Sequence, residues 1–152
     1  MDTMADILGS KNSEIISVSP NASLREALTI MAERNVGAVL VISKDGVIDG
    51  IFSERDLARK SLDEGFVIDH TKVKDVMTSQ VLYVETDTSI QDCMSLMTEK
   101  RIRHLPVFKG DKLMGVISIG DVVKALINVQ GNVISEQASE IGMLINYISG
   151  RR

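Results

Sequence analysis

Ile15–Leu57 reads IISVSPNASLREALTIMAERNVGAVLVISKDGVIDGIFSERDL, and Val81–Val122 reads VLYVETDTSIQDCMSLMTEKRIRHLPVFKGDKLMGVISIGDV. The second stretch repeats the first. Ser23 falls on Ser89, Glu26 on Asp92, Met31 on Met97 and Glu33 on Glu99. After a gap of one residue, Gly50 falls on Gly115, Ser53 on Ser118 and Asp56 on Asp121. Two copies are too few for a solenoid array. They predict one pseudo-symmetric domain, with equivalent clefts where the halves meet.

Each copy reads as strand, helix, strand, strand, helix. Ile15–Val18 and Val81–Val84 are short β-rich runs. Leu24, Ala27, Leu28 and Met31 recur at helical spacing, as do Ile90, Cys93, Met94 and Met97. Ser23-x-x-Glu26 and Ser89-x-x-Asp92 read as capping boxes that open these two helices. Val36–Ile42 and Ile102–Phe108 are dense in apolar residues and read as buried strands. Lys44-Asp45-Gly46 and Gly110-Asp111-Lys112 mark hairpin turns into strands Val47–Phe52 and Leu113–Ile117. Helices follow from Ser53 and Ser118. The lead-in is duplicated too: Lys72–Met77 (KVKDVM) resembles Thr3–Leu8 (TMADIL). A C-terminal helix is expected over 132–149, because Ile134, Ala138, Ile141, Ile145 and Ile148 form one stripe.

The 152 residues suffice for one domain with a real core. An apolar fraction of 44% and a charged fraction of 25% are ordinary for a soluble globular protein. The longest apolar run, Ala38–Ile42, is far too short to cross a bilayer, and no signal peptide is visible. Cys93 is the only cysteine, which excludes an internal disulfide and fits a reducing cytoplasm. A formal charge of −4 gives no broad attraction to nucleic acid or an anionic membrane. No metal site is expected, since His70, His104 and Cys93 are too few and badly spaced. Cys93 reads as a small buried apolar residue, and the eight methionines mostly as packing. No catalytic residue is expected either: no Ser-His-Asp or Cys-His arrangement stands out. Gly115–Gly120 has the glycine spacing of a P-loop, but Asp121 stands where lysine is required.

The stretches Gly50-Ile-Phe-Ser-Glu-Arg-Asp56, Gly115-Val-Ile-Ser-Ile-Gly-Asp121 and Arg101-Ile-Arg-His-Leu-Pro-Val107 resemble the CBS domain, named after cystathionine β-synthase. The resemblance covers roughly residues 5–128. It implies an α/β fold of two β-α-β-β-α CBS motifs, packed with pseudo-two-fold symmetry into one disc, plus the C-terminal helix. The expected parts are 5–62 for the first motif with its lead-in, 72–128 for the second, and 132–149 for the helix. It also implies two clefts that bind adenosine-containing nucleotides, and a homodimer of discs.

Ser53-Glu-Arg-Asp56 and Ser118-Ile-Gly-Asp121 admit two readings. One is a capping box, in which serine and acid satisfy free N–H groups at a helix start. The other uses the same geometry for a ligand: a carboxylate at a cleft mouth can accept two hydrogen bonds from the cis hydroxyls of a ribose. In the resembled family that aspartate holds ribose, which puts the role on Asp56 and Asp121, with Ser53 and Ser118 beside ribose or phosphate. In an extended strand, Arg101 and Arg103 point one way, Ile102 and His104 the other. Pro106 lacks a backbone donor, which disfavours a central, fully paired position and can leave neighbouring backbone groups for an adenine edge. The resemblance puts Arg103 and His104 at phosphate. The matching residues of the first copy, Gly37 and Ala38, are uncharged, so the clefts are expected to differ and the Asp121 cleft to bind an anion better. Arg55, Arg59 and Lys60 either form a solvated helix face or supply charge to the Asp56 cleft. Lys11, in the insertion Gly9-Ser10-Lys11, is either a turn residue or a phosphate contact for the Asp121 cleft.

The sequence thus points to a non-enzymatic regulatory module with no required cofactor. Its expected ligand is AMP, ADP, ATP or NAD(H). Adenine would lie between Ile16, Val18 and Leu105 in one cleft, with backbone groups next to Pro106 at its edge, and between Val39, Val81 and Tyr83 in the other. The output would pass to a separate, unidentified protein. The rival reading is a structural or interaction protein whose clefts bind nothing.

Overall fold

The computed structural model describes residues 2–11 and 14–131. The helix expected over 132–149 lies outside the described residues. In chain order the elements are α1 (Met4–Gly9), β1 (Ser17–Val18), α2 (Leu24–Arg34), β2 (Ala38–Ile42), β3 (Ile48–Ser53), α3 (Glu54–Lys60), β4 (Val84–Glu85), α4 (Ile90–Lys100), β5 (His104–Lys109), β6 (Lys112–Ser118) and α5 (Ile119–Gly131). Short 3-10 turns, Ile68–His70 and Val73–Asp75, link the two copies. The α/β class and the repeated strand-helix-strand-strand-helix order are as the sequence reads.

The chain forms two compact units. A continuous unit comprises Ile15–Val81, and among the described residues a split unit joins the segment before Ile15 with Leu82–Gly131. Each holds a three-stranded sheet with the same topology. The orders are β1-β2-β3 and β4-β5-β6, the first pair parallel and the second antiparallel. Both sheets carry a register shift at the matching place, Val41/Ile42 and Val107/Phe108.

In the continuous unit, Val18, Leu24, Ala27, Met31, Val39, Val41, Phe52 and Val73 form the core. In the split unit, the core holds Val84, Ile90, Cys93, Met97, Leu105, Val107, Ile117, Val122 and Ala125, closed by Met4, Ile7 and Leu8 of α1. Cys93 is fully buried, as its helical position predicts, and burial pushes its thiol up to about 11. It is therefore held as an unreactive thiol at neutral pH.

The lead-ins explain why one unit is split. Met4 donates to the Thr88 carbonyl at 3.0 Å, and Ile90 donates to Asp2 at 3.1 Å. The matching bonds in the continuous unit run from Val73 to Ala22 at 3.0 Å and from Leu24 to Thr71 at 2.9 Å. The lead-in that precedes the first copy in sequence therefore packs on the second copy, and the one that precedes the second packs on the first. Met4 and Val73 are the fully buried anchors.

Three local details depart from the sequence reading. Ser23 and Ser89 do cap α2 and α4, accepting from Glu26 N–H at 3.1 Å and Asp92 N–H at 3.0 Å. The acids return no bond, so only half of each box forms among the described residues. Secondly, the buried strands begin at Ala38 and His104, two residues later than read. Asn35 and Arg101 each end their helix in the left-handed conformation, with φ of 54°. Val36 and Ile102 then donate back to Met31 and Met97 at 3.0 Å, closing a Schellman turn. Arg101 is thus a helix cap, and the alternation read for Arg101 and Arg103 does not apply to it.

The third departure is Pro106, which sits in β5, the central strand. Its counterpart Leu40 shows why this is tolerated. Leu40 donates to the Ile16 carbonyl at 3.1 Å, on the β1 side. At Pro106 the missing donor therefore faces β4, where pairing starts only one residue later, at Val84 with Val107. The proline trims that strand pair by one residue and leaves its ladder with β6 intact.

Gly50 marks a close approach. A Cβ there would lie 2.6 Å from the Thr78 carbonyl oxygen and 2.7 Å from Met77 Sδ. Because the nearer obstacle is backbone, it cannot rotate away. Gly50→Ala should cost about 1–3 kcal/mol by overpacking, read as a lowered urea midpoint with unchanged slope. An unchanged midpoint would mean the Met77–Thr78 segment is not docked on β3.

Candidate functional site

Each unit turns from a strand into a helix at a Ser-x-x-Asp sequence, and the chain folds the same way at both. In the continuous unit the extended Ser53 ends β3. Its N–H donates to Asp56 Oδ2 at 2.9 Å and its hydroxyl to the same oxygen at 3.1 Å. Asp56 N–H donates to Ser53 Oγ at 3.4 Å. The first helical N–H, from Glu54, goes to the Gly37 carbonyl at 3.1 Å. In the split unit, Ser118 N–H donates to Asp121 Oδ2 at 2.9 Å and Asp121 N–H to Ser118 Oγ at 3.2 Å. Ile119 N–H goes to the Arg103 carbonyl at 2.8 Å. The capping reading therefore holds at both aspartates, and any ligand role has to be compatible with it.

What guards each carboxylate differs. Asp56 is buried, with 8% of its surface exposed, and Thr78 Oγ1 donates to its second oxygen, Oδ1, at 3.0 Å. Both oxygens of Asp56 are thus occupied by neutral donors of its own unit. Asp121 is more open: its side chain is 23% exposed, and Lys11 Nζ donates to Oδ2 at 2.7 Å. Lys11 also donates to the Val116 carbonyl at 3.1 Å. Among the described residues, Asp121 Oδ1 accepts no hydrogen bond. Burial pushes the Asp121 carboxyl up, but the Lys11 ammonium and the Ser118 N–H outweigh it and hold the carboxyl below the ordinary value. Asp121 is therefore an anion at neutral pH, paired among the described residues with the Lys11 ammonium, whose side chain is partly exposed.

Other residues singled out by sequence fall as follows. The ladder sets His104 opposite Ser118, so Arg103, His104, Ser118, Asp121 and Lys11 gather at one end of the β5–β6 pair. Arg103 is exposed and His104 half-buried. Arg55 and Arg59 are exposed on α3. Lys60 pairs with Asp63 at 3.2 Å. Val18, Val39 and Leu105 commit their side chains to the cores, and Ala38 and Pro106 are buried. Ile16, Gly37 and Val81 are half-buried. Tyr83 is exposed, its ring edge-on to Phe108 at 5.2 Å. Thr78 was not singled out by sequence. Its only signal is its place directly after the second lead-in, where Lys11 follows the first.

No group of three or more His, Cys, Asp or Glu residues among the described residues could hold a metal ion. No helix among them is long and apolar enough to cross a membrane. A depression of about 470 Å³ bordered by Lys60, Asp63, Glu64, Phe66, His70 and Asp75 touches neither Ser-x-x-Asp turn. It mixes both signs of charge and offers no converging donor set.

A family model for the CBS domain matches residues 5–63 and 73–128. The chain is similar to the CBS domain-containing protein CBSX3, mitochondrial, of Arabidopsis thaliana, at 34% identity, with 97% of this chain and 72% of that protein covered. It is similar in structure to the CBS-domain containing protein ATU1752 from Agrobacterium tumefaciens, at 37% identity and a TM-score of 0.78, covering 82% of this chain and 92% of the other. It also resembles CBSX2 in complex with AMP, at 28% identity and a TM-score of 0.67, covering 84% of this chain and 98% of that one.

Proposed function

Because this chain belongs to the CBS-domain family and carries the domain as a tandem pair, we propose that it is a regulatory module that binds an adenosine-containing nucleotide at the Ser118–Asp121 turn. The carrying observation is the unequal guarding of the two aspartates. Asp121 is ionised, partly exposed, and has one oxygen without a hydrogen-bond partner among the described residues. A ribose presents two adjacent hydroxyl donors, which a carboxylate can accept through both oxygens. Lys11, Arg103 and His104 gather at the same end of the split unit and suit a phosphate. Asp56 has both oxygens filled and is buried, so a diol there must first break the Thr78 bond. The relative CBSX2, seen with AMP, supports an adenine nucleotide as the ligand.

The module is proposed to act without chemistry of its own, as a homodimer in the cytoplasm, through a separate output protein. A ligand moves such a switch only by its differential affinity for two shapes. Thermal unfolding with millimolar AMP, ADP, ATP, NAD, NADH and S-adenosylmethionine tests the reading. A ligand at about 100 times its dissociation constant stabilises by roughly 2.7 kcal/mol. At this size each kcal/mol moves the midpoint by about 2–4 °C, so the right nucleotide should raise it by several degrees. No shift with any of the six would favour a structural or interaction protein instead.

A further inference from the structure

The two aspartates differ at one oxygen. At each turn Oδ2 receives two donors. Ser53 N–H and the Ser53 hydroxyl meet Asp56 Oδ2 at 2.9 and 3.1 Å. Ser118 N–H and the Lys11 ammonium meet Asp121 Oδ2 at 2.9 and 2.7 Å. The turns part at Oδ1. Asp121 Oδ1 accepts no hydrogen bond among the described residues. Asp56 Oδ1 accepts the Thr78 hydroxyl at 3.0 Å.

Thr78 is placed there by its backbone. It follows directly on the lead-in that packs on the first copy, and it bridges to Ile51 on β3. Its N–H donates to the Ile51 carbonyl and the Ile51 N–H to its own carbonyl, both at 2.9 Å. A β-branched side chain on so fixed a backbone has few χ1 settings, and the one adopted sets Oγ1 on the carboxylate. Thr78 is exposed whereas Asp56 is buried, so the donor that fills Oδ1 belongs to the surface of the unit. In the split unit the residue matching Ile51 is Val116, since Leu40 faces Ile51 and Pro106 faces Val116. The Val116 carbonyl takes the Lys11 ammonium at 3.1 Å, and among the described residues nothing docked on that edge carries a donor to Asp121 Oδ1.

We propose that Thr78 is a built-in plug: its hydroxyl stands in for a ligand hydroxyl on Asp56, so that the chain takes up one adenosine-containing nucleotide, at Asp121, and not two. The inference rests on the nucleotide reading of the Asp121 turn. The Thr78 hydroxyl is a secondary alcohol, the same kind of donor that the 2′- and 3′-carbons of a ribose present. At Asp121 a ribose hydroxyl adds a hydrogen bond to an open oxygen. At Asp56 it has to replace one that the chain already makes, and the competing hydroxyl is tethered in place, so it acts at a high effective concentration. Losing that one gain on a charged acceptor lowers affinity roughly 10–100-fold.

Calorimetric titration of the full chain with AMP reads the number of sites. The native chain should take up one AMP. Thr78→Ala should take up two, because the Asp56 turn gains roughly 10–100-fold in affinity once Oδ1 is open. Thr78→Val keeps the β-branched shape and the bridge to Ile51 and loses only the hydroxyl. It should also take up two, and it guards against a folding defect in the alanine variant. Thr78→Ser, which keeps the hydroxyl, should stay at one. Adding Asp56→Ala to Thr78→Ala should remove the second site and leave the first. Two sites of like affinity in the native chain, or a single site in both hydroxyl-free variants, overturns the proposal while leaving the nucleotide reading of Asp121 standing. A site that appears only in the hydroxyl-free variants keeps the plug and overturns that reading. No uptake by any of these chains overturns both.

Discussion

Phe52→Ala should lower stability by about 3–5 kcal/mol, the usual cost of emptying a buried aromatic site. Phe52 is fully buried and the largest side chain in the core of the continuous unit. It lies on β3 beside Ile51, whose backbone pairs with Thr78. The core around it is small, and its members Val18, Leu24, Val39, Val41 and Val73 come from strands, a helix and the lead-in. With so many elements meeting there, collapse onto the cavity would pull several backbones at once, so relaxation is limited. At about 2–4 °C per kcal/mol, the midpoint should fall by roughly 6–20 °C. A fall of less than about 2 °C would mean that β3 is not packed on this core.

The second large effect concerns ligand rather than fold. Asp121→Ala should weaken nucleotide binding by roughly 10–100-fold or more, since each hydrogen bond to a charged group contributes about 1.5–3 kcal/mol. Asp56→Ala should leave binding near the native value. It should instead cost about 1–3 kcal/mol of stability, because it strands the Thr78 hydroxyl and the Ser53 N–H without an acceptor. Titration and thermal unfolding of both variants separate the two effects. Binding lost equally in both would show that the unequal guarding of the aspartates does not govern ligand uptake.

Much of this was legible in the chain because a repeat doubles every signal. The serine caps, the helical stripes and the two Ser-x-x-Asp turns each appear twice in register, and the elements form at those places. What stayed hidden was non-local. The likeness of Lys72–Met77 to Thr3–Leu8 shows that a lead-in is duplicated, but not which copy it packs on. Asn35 is a residue type that tolerates the left-handed cap, whereas nothing in Arg101 announces it. That Pro106 could sit in a central strand without being fully paired there was not legible, because the direction of a missing donor depends on which neighbour a strand faces. At the candidate site, the aspartates and Lys11 were visible as residue types. The role of Thr78 was not, since a threonine after a turn is ordinary until its hydroxyl is seen on Asp56.

The exchanged lead-ins also set a timetable for synthesis. The continuous unit, Ile15–Val81, can form once its own residues have emerged, since among the described residues its core is built from that stretch alone. The split unit must wait. Its first segment carries Met4, Ile7 and Leu8, which find their partners only when Ile90, Met97, Leu105 and Ile117 have been made. Domains form in the order in which their parts are finished. Closing so long a separation is slow compared with local pairing. The apolar turn of α1, made before the continuous unit, therefore stays uncovered while that unit is already in place, until the later segment of its own unit has been made.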